Sequence, residues 1–177
     1  MTRHFQPARR AQRQARGRLT QRTHVSMLRA VPVHVRHRAR NRTHVRAAVV
    51  RHRGERMLEA LSLERAELSI VLCDDAMIRG LNRRHRGFDR ATDVLAFAMG
   101  EGEALASRGP QLLGDVVISL PTAARQARAV GKDTLAEVTL LLAHGLLHLL
   151  GFDHQTEHTE RCMRARTDAL IAAARRR

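Results

Sequence analysis

The sequence predicts an α+β fold, a single domain in which a mixed sheet of about four strands packs with about five helices. Three observations carry that prediction. Short apolar or alternating runs recur between segments with helical spacing, so strands and helices are interspersed along the chain. At 177 residues and 44% hydrophobic content, the chain can bury one adequate core. The stretch around Leu135 to Leu150 is apolar nearly all round, as a helix at the centre of such a core should be.

The elements follow in order. Residues 1–30 show no hydrophobic periodicity and are expected to form a disordered basic extension, leaving residues 31–177 as the folded domain. Val31 to Val35 alternates apolar and polar, as a strand does. Residues 43–61 carry an amphipathic helical pattern through Val45, Val49, Val50, Met57, Leu58 and Leu61. AELSIVLC, residues 66–73, reads as a strand. Asp74 or Asp75 then caps a helix through Met77, Ile78 and Leu81, and the polar run NRRHRGFDRAT reads as a loop. A strand follows from Asp93 to Met99, then a loop over 100–110, a strand LLGDVVIS over 112–119 and a short helix near 121–130. Thr134 to Glu137 reads as a capping box opening the long apolar helix, and a last helix occupies about 156–174.

The net charge of +15 is unevenly placed. Residues 1–54 hold fifteen arginines and no acidic residue, whereas the remaining 123 residues hold 17 basic and 17 acidic groups. Residues 55–177, the body of the protein, are therefore not a basic nucleic-acid binder by overall charge. The basic segment reads as an RNA-binding arm, as a targeting peptide, or as sequence upstream of a true start at Met27; the last is favoured because folded character begins just after that methionine. Trp and Tyr are absent and Phe occurs four times, so base stacking is not the main binding mode. Cys73 and Cys162 lie far apart with no secretory signal, which points to free thiols in a reducing cytoplasm. No apolar run reaches the ~18 residues of a membrane span.

The chemistry concentrates in HGLLHLLGFDH, residues 144–154. His144 and His148 are four apart and share a helix face, since a turn takes about 3.6 residues. Gly151 offers a stop for that helix, after which a short reversal brings His154 back toward the pair. Three neutral imidazoles with a fourth position open is the arrangement of a catalytic zinc site at the end of a buried helix. The spacing matches the metzincin pattern H-E-x-x-H-x-x-G-x-x-H. Gly145 occupies the glutamate position, however, and loss of that general base argues against peptide hydrolysis. A glycine within a helix costs about 1 kcal/mol relative to Ala, and close passage of substrate or another backbone near the metal would explain it.

HGLLHLLGFDH, LNRRHRGFDRATDVLAF and LLGDVVIS, occurring in this order, resemble the YbeY family of bacterial ribosomal-RNA maturation factors over about residues 32–174. The resemblance implies a zinc-dependent single-strand endoribonuclease acting on the 3′ end of small-subunit rRNA and in ribosome quality control. Its partners would be single-stranded RNA, rRNA and the small subunit, in the cytoplasm. It makes His144, His148 and His154 the ligands of one Zn2+ and places the family's functional arginine at Arg86. Thr92 and Asp93 match a Thr-Asp pair near the cleft, and Asp115 and Ser119 lie on a strand bordering the groove. His85, Ala91, Ala96 and Ala98 depart from the family pattern and put loop geometry in question.

Arg86 would then stabilise negative charge in the phosphodiester transition state. Asp153 either orients a histidine from behind the metal or serves a turn or cap. His158 is expected on the surface of the last helix. Asp74, Asp75, Arg83 and Arg84 read as a cap and a solvated face. The competing functions are a metal-dependent hydrolase of a non-RNA substrate and a non-catalytic ribosome-associated zinc protein.

Overall fold

A computed structural model describes residues 33–39, 44–99, 111–152 and 156–176. The described chain runs β1 (Val33–His37), α1 (Ala47–Ala60), β2 (Ala66–Cys73), α2 (Asp75–Arg86), β3 (Val94–Ala98), β4 (Gln111–Ser119), α3 (Leu120–Ala129), α4 (Thr134–Leu149) and α5 (Glu157–Arg175). The four strands form one mixed sheet in the order β1-β2-β4-β3. β1, β2 and β4 run parallel, with Val35 opposite Ile70 and Ile70 opposite Val116. β3 is an edge strand antiparallel to β4, with Val94 opposite Ile118 and Ala96 opposite Val116. The expected α+β class, strand number and helix number are all present.

Strand alternation divides the core between two faces of the sheet. Leu68, Ile70, Leu72, Val116 and Ile118 join α1, α4 and α5 in the larger cluster through Val50, Met57, Leu142, Leu146, Met163 and Leu170. Across the sheet, Cys73, Leu95 and Val117 pack with Ile78 of α2 in a smaller one. The helix α4 is buried at Val138, Leu141, Leu142, Ala143, Leu146 and Leu147, which explains its continuous apolar run.

Three sequence expectations are corrected at element ends. The first strand, described from Val33, runs on to His37 rather than ending at Val35; residues 31 and 32 lie outside the described residues. The polar run after Leu81 is helical as far as Arg86: Arg83, Arg84, His85 and Arg86 form the last turn, where cations complement the helix dipole, so their polarity marks no break. Gly87 ends α2 at φ 77°, a left-handed conformation that glycine adopts without cost. The cap of α4 is Asp133, whose carboxylate accepts from the Ala136 N–H at 2.8 Å; Thr134 is the first helical residue and not the cap. The basic extension, the start at Met27 and the loop expected over 100–110 lie outside the described residues.

Candidate active site

The two histidines of α4 converge. His144 Nε2 and His148 Nε2 stand 3.1 Å apart, their rings 4.6 Å between centroids and nearly perpendicular at 84°. Both rings are half-buried, while Ala143, Gly145, Leu146 and Leu147 around them are fully buried. The helix thus drives its apolar surface into the core and turns its histidine face toward a cleft. Two nitrogens on a tetrahedral zinc, each at about 2.0–2.1 Å from the ion, stand roughly 3.3 Å apart. The observed pair fits that span, and neutral imidazole is a suitable donor for a divalent ion of this class.

The helix stops where the sequence signals it. Gly151 takes φ 81° and donates to His148 O at 3.0 Å, and Phe152 donates to Leu147 O at 3.0 Å. Phe152 packs on the larger core, and the Arg166 guanidinium of α5 lies 4.6 Å from its ring centroid. His154 and Asp153, expected as third ligand and supporting carboxylate, lie outside the described residues.

Gly145 has a packing role. A Cβ there would stand 2.7 Å from Val116 Cγ1 and 3.3 Å from Val94 Cγ2. The protein atoms nearest that Cβ are side-chain methyls of two sheet valines rather than another backbone, and Gly145 also lines the cleft. The absent side chain lets α4 press onto β3 and β4, which brings the histidines to the edge of the sheet beside β3.

The cleft encloses about 590 Å³. Arg86 enters it from the last turn of α2, Asp93, Val94 and Ala96 from the edge strand and the residue before it, and His144 and His148 from α4. Asp93 is tightly held: Thr92 Oγ1 and the Val94 N–H donate to one oxygen at 3.1 and 2.8 Å, and Gln126 Nε2 donates to the other at 2.9 Å. Burial alone would raise its carboxyl, but the hydrogen bonds from Gln126, Val94 and Thr92 together outweigh it and hold the group below the ordinary carboxylate range. The cleft therefore contains a fixed anion beside an exposed guanidinium. Gln126 was not singled out in the sequence: its contact with Asp93 spans 33 residues and exists only in the folded chain.

Two expected groove residues lie elsewhere. Asp115 pairs with Phe97 and shares the parity of Val117, so it faces the α2 side of the sheet, whereas Ala96 and Val116 face the histidines. Ser119 is fully buried and structural. Its hydroxyl caps α3 by accepting from the Thr122 N–H at 3.3 Å and donates to Asp75. Asp75, the other cap candidate, is instead the first residue of α2: Thr122 donates to it at 2.7 Å and Arg125 pairs with it at 2.9 Å, tying α2 to α3. Asp74 caps α2 as expected, accepting from Met77. His158 is exposed on α5, its Nε2 3.8 Å from Cys162 Sγ. Of the departures noted above, His85 packs edge-on against Phe97 at 5.0 Å and so joins α2 to the edge strand as an aromatic residue would.

Comparison with known proteins bears on the whole described fold. The family model described as Endoribonuclease YbeY matches residues 36–175. The chain is 52% identical over 109 residues to Endoribonuclease YbeY of Pelotomaculum thermopropionicum, covering 61% of this chain and 72% of that one. It is 48% identical over 133 residues to the Anaeromyxobacter dehalogenans protein of the same name, covering 72% of this chain and 67% of the other. A Thermotoga maritima protein solved in solution shares the fold with a TM-score of 0.55 at 21% identity, covering 80% of this chain and 89% of its own. With a family model matched over most of its length and relatives near half identical, this chain belongs to the YbeY family of endoribonucleases.

Proposed function

We propose that this endoribonuclease is zinc-dependent, cuts single-stranded RNA, and acts in the cytoplasm on the 3′ end of small-subunit rRNA, with a part in ribosome quality control. The observation that carries the reading is the facing pair of His144 and His148 nitrogens, 3.1 Å apart, in a cleft that also receives Arg86. His154, three positions after Gly151 in the sequence, is the third ligand in this proposal. Asp153, next to it in the sequence, is proposed either to orient a ligand ring or to serve a cap or turn.

A divalent ion held by three imidazoles supplies Lewis-acid polarisation of a phosphoryl oxygen and acidifies water. The protein does the rest. Gly145 sets the depth of the histidine face against the sheet. Arg86 carries the planar fork that binds phosphate oxygens and neutralises the charge that grows on them. Asp93 stays ionised at neutral pH and so acts as a fixed charge bordering the cleft rather than a proton donor. Among the described residues, no helix is long and apolar enough to cross a membrane.

The test is cleavage of labelled single-stranded RNA carrying the 3′ end of small-subunit rRNA, with chelator and zinc add-back, using the full chain and a chain begun at Met27. Cleavage that needs zinc and is kept by the shorter chain is expected. Cleavage unaffected by metal removal would overturn the metal assignment.

A further inference from the structure

Beside the catalytic cleft lies a second depression of about 360 Å³, formed where α2 gives way to the segment before β3. Phe88, Arg90 and Thr92 line it, and Arg86 lines both hollows, so the two share that arginine as a wall. Phe97 and Phe152 are packed against the two cores, but Phe88 is 56% exposed. The Arg90 guanidinium stands 5.5 Å from its ring centroid.

The segment that presents this ring is braced. Arg79 grips Asp89 through two hydrogen bonds of 2.8 Å, and buried Asn82 donates to Arg90 O at 2.8 Å. Asp89 is the one acidic residue between Asn82 and Thr92, and Arg79 neutralises it. The surface offered to solvent there combines an aromatic ring with the cations of Arg86 and Arg90.

We infer that this hollow is a nucleotide subsite in which Phe88 stacks on one base of the RNA strand next to the cut, while Arg90 and Arg86 hold the flanking phosphates. This rests on the endoribonuclease reading and adds to it the residue that sets the position of the strand. An aromatic face takes any base, whereas phosphate contacts carry no sequence information, so the subsite demands an unpaired base without selecting its identity. A base in a duplex is already stacked on its neighbours and cannot lie on Phe88. The subsite thus supplies a physical reason for single-strand preference, which overall charge cannot supply. One ring positions one nucleotide, in keeping with the scarcity of aromatic residues.

The chain contains no Trp or Tyr, so Phe88→Trp creates its sole strong fluorophore at this point. With chelator present to prevent cleavage, binding of an end-labelled single-stranded oligonucleotide is followed by anisotropy and tryptophan emission together. Emission is expected to be quenched as RNA binds, with affinity kept by the tryptophan. Phe88→Ala is expected to weaken binding by roughly tenfold, the loss of one stacked base. It should also lose the unmodified protein's preference for the intact strand over one bearing an abasic position. Bound RNA without quenching, or Phe88→Ala binding as tightly as the unmodified chain, would overturn the subsite. Failure of the unmodified chain to cleave RNA would instead overturn the nuclease reading, and failure to bind RNA would overturn both.

Discussion

A Cβ on Gly145 would lie 2.7 Å from Val116 Cγ1, so α4 meets β4 at a separation that admits only hydrogen at that point. Val116 is fully buried and β-branched, so its χ1 is restricted. Overpacking costs about 1–3 kcal/mol, and the gain in helix propensity returns at most about 1 kcal/mol. Gly145→Ala is therefore expected to destabilise the chain by about 1–2 kcal/mol in denaturant unfolding. The double variant with Val116→Ala should recover part of that loss, since the deleted methyl groups make room; strictly additive losses would contradict the contact.

Arg86 ends α2 exposed and lines the cleft. Arg86→Ala is expected to lower the single-turnover cleavage rate by about 10²–10³, typical of losing one group that stabilises transition-state charge. The unfolding midpoint should scarcely move. Arg86→Lys should restore only part of the rate, because a point charge does not reproduce the bidentate fork.

Ser119 predicts the opposite pattern. It is buried, its hydroxyl caps α3 and donates to Asp75, and only its backbone N–H meets a cleft residue, the Asp93 carbonyl at 2.8 Å. Ser119→Ala should cost about 1–2 kcal/mol of stability, through a lost cap and a lost hydrogen bond to a carboxylate. Cleavage by the folded variant, measured well below its unfolding midpoint, should be unchanged.

The carboxylates make stability pH-dependent in a definite direction. Asp93 and Asp75 both have folded-state values below the ordinary carboxylate range; in each, burial opposes the shift and hydrogen bonds outweigh it. A depressed folded value means that the stabilisation is present above the unfolded value and is lost as pH falls through the folded one. Unfolding free energy should therefore decline as pH drops below about 4, the unfolded carboxylate value. Asp93→Asn should flatten that decline and lower stability at neutral pH, since its amide would face the Gln126 donor.

Much of the fold was legible because periodicity reports burial. The strand Ala66–Cys73 matches its sequence-expected bounds, and the apolar run of α4 is the buried helix it implied. The ends of α2 and α4 were misjudged because a polar last turn looks like a loop, and a Thr beside an Asp looks like the cap. At the site, the spacing of His144 and His148 already encoded a shared face. Strand parity held the information that Asp115 faces away from them, but only once Ala96 and Val116 were known to lie under α4. The Gln126 brace on Asp93 and the Asp75 link to α3 depend on contacts between distant elements, for which the sequence carries no local signal.

The central claim is that the histidines of α4 hold the metal needed to cut RNA. Zinc content and cleavage of labelled single-stranded rRNA, measured on the same preparations of the unmodified chain and His148→Ala, test it most directly. The unmodified chain should hold zinc and cleave, lose cleavage with chelator and regain it with added zinc, while His148→Ala holds no zinc and leaves the RNA intact. Cleavage at an undiminished rate by metal-free protein, or by His148→Ala, would contradict it.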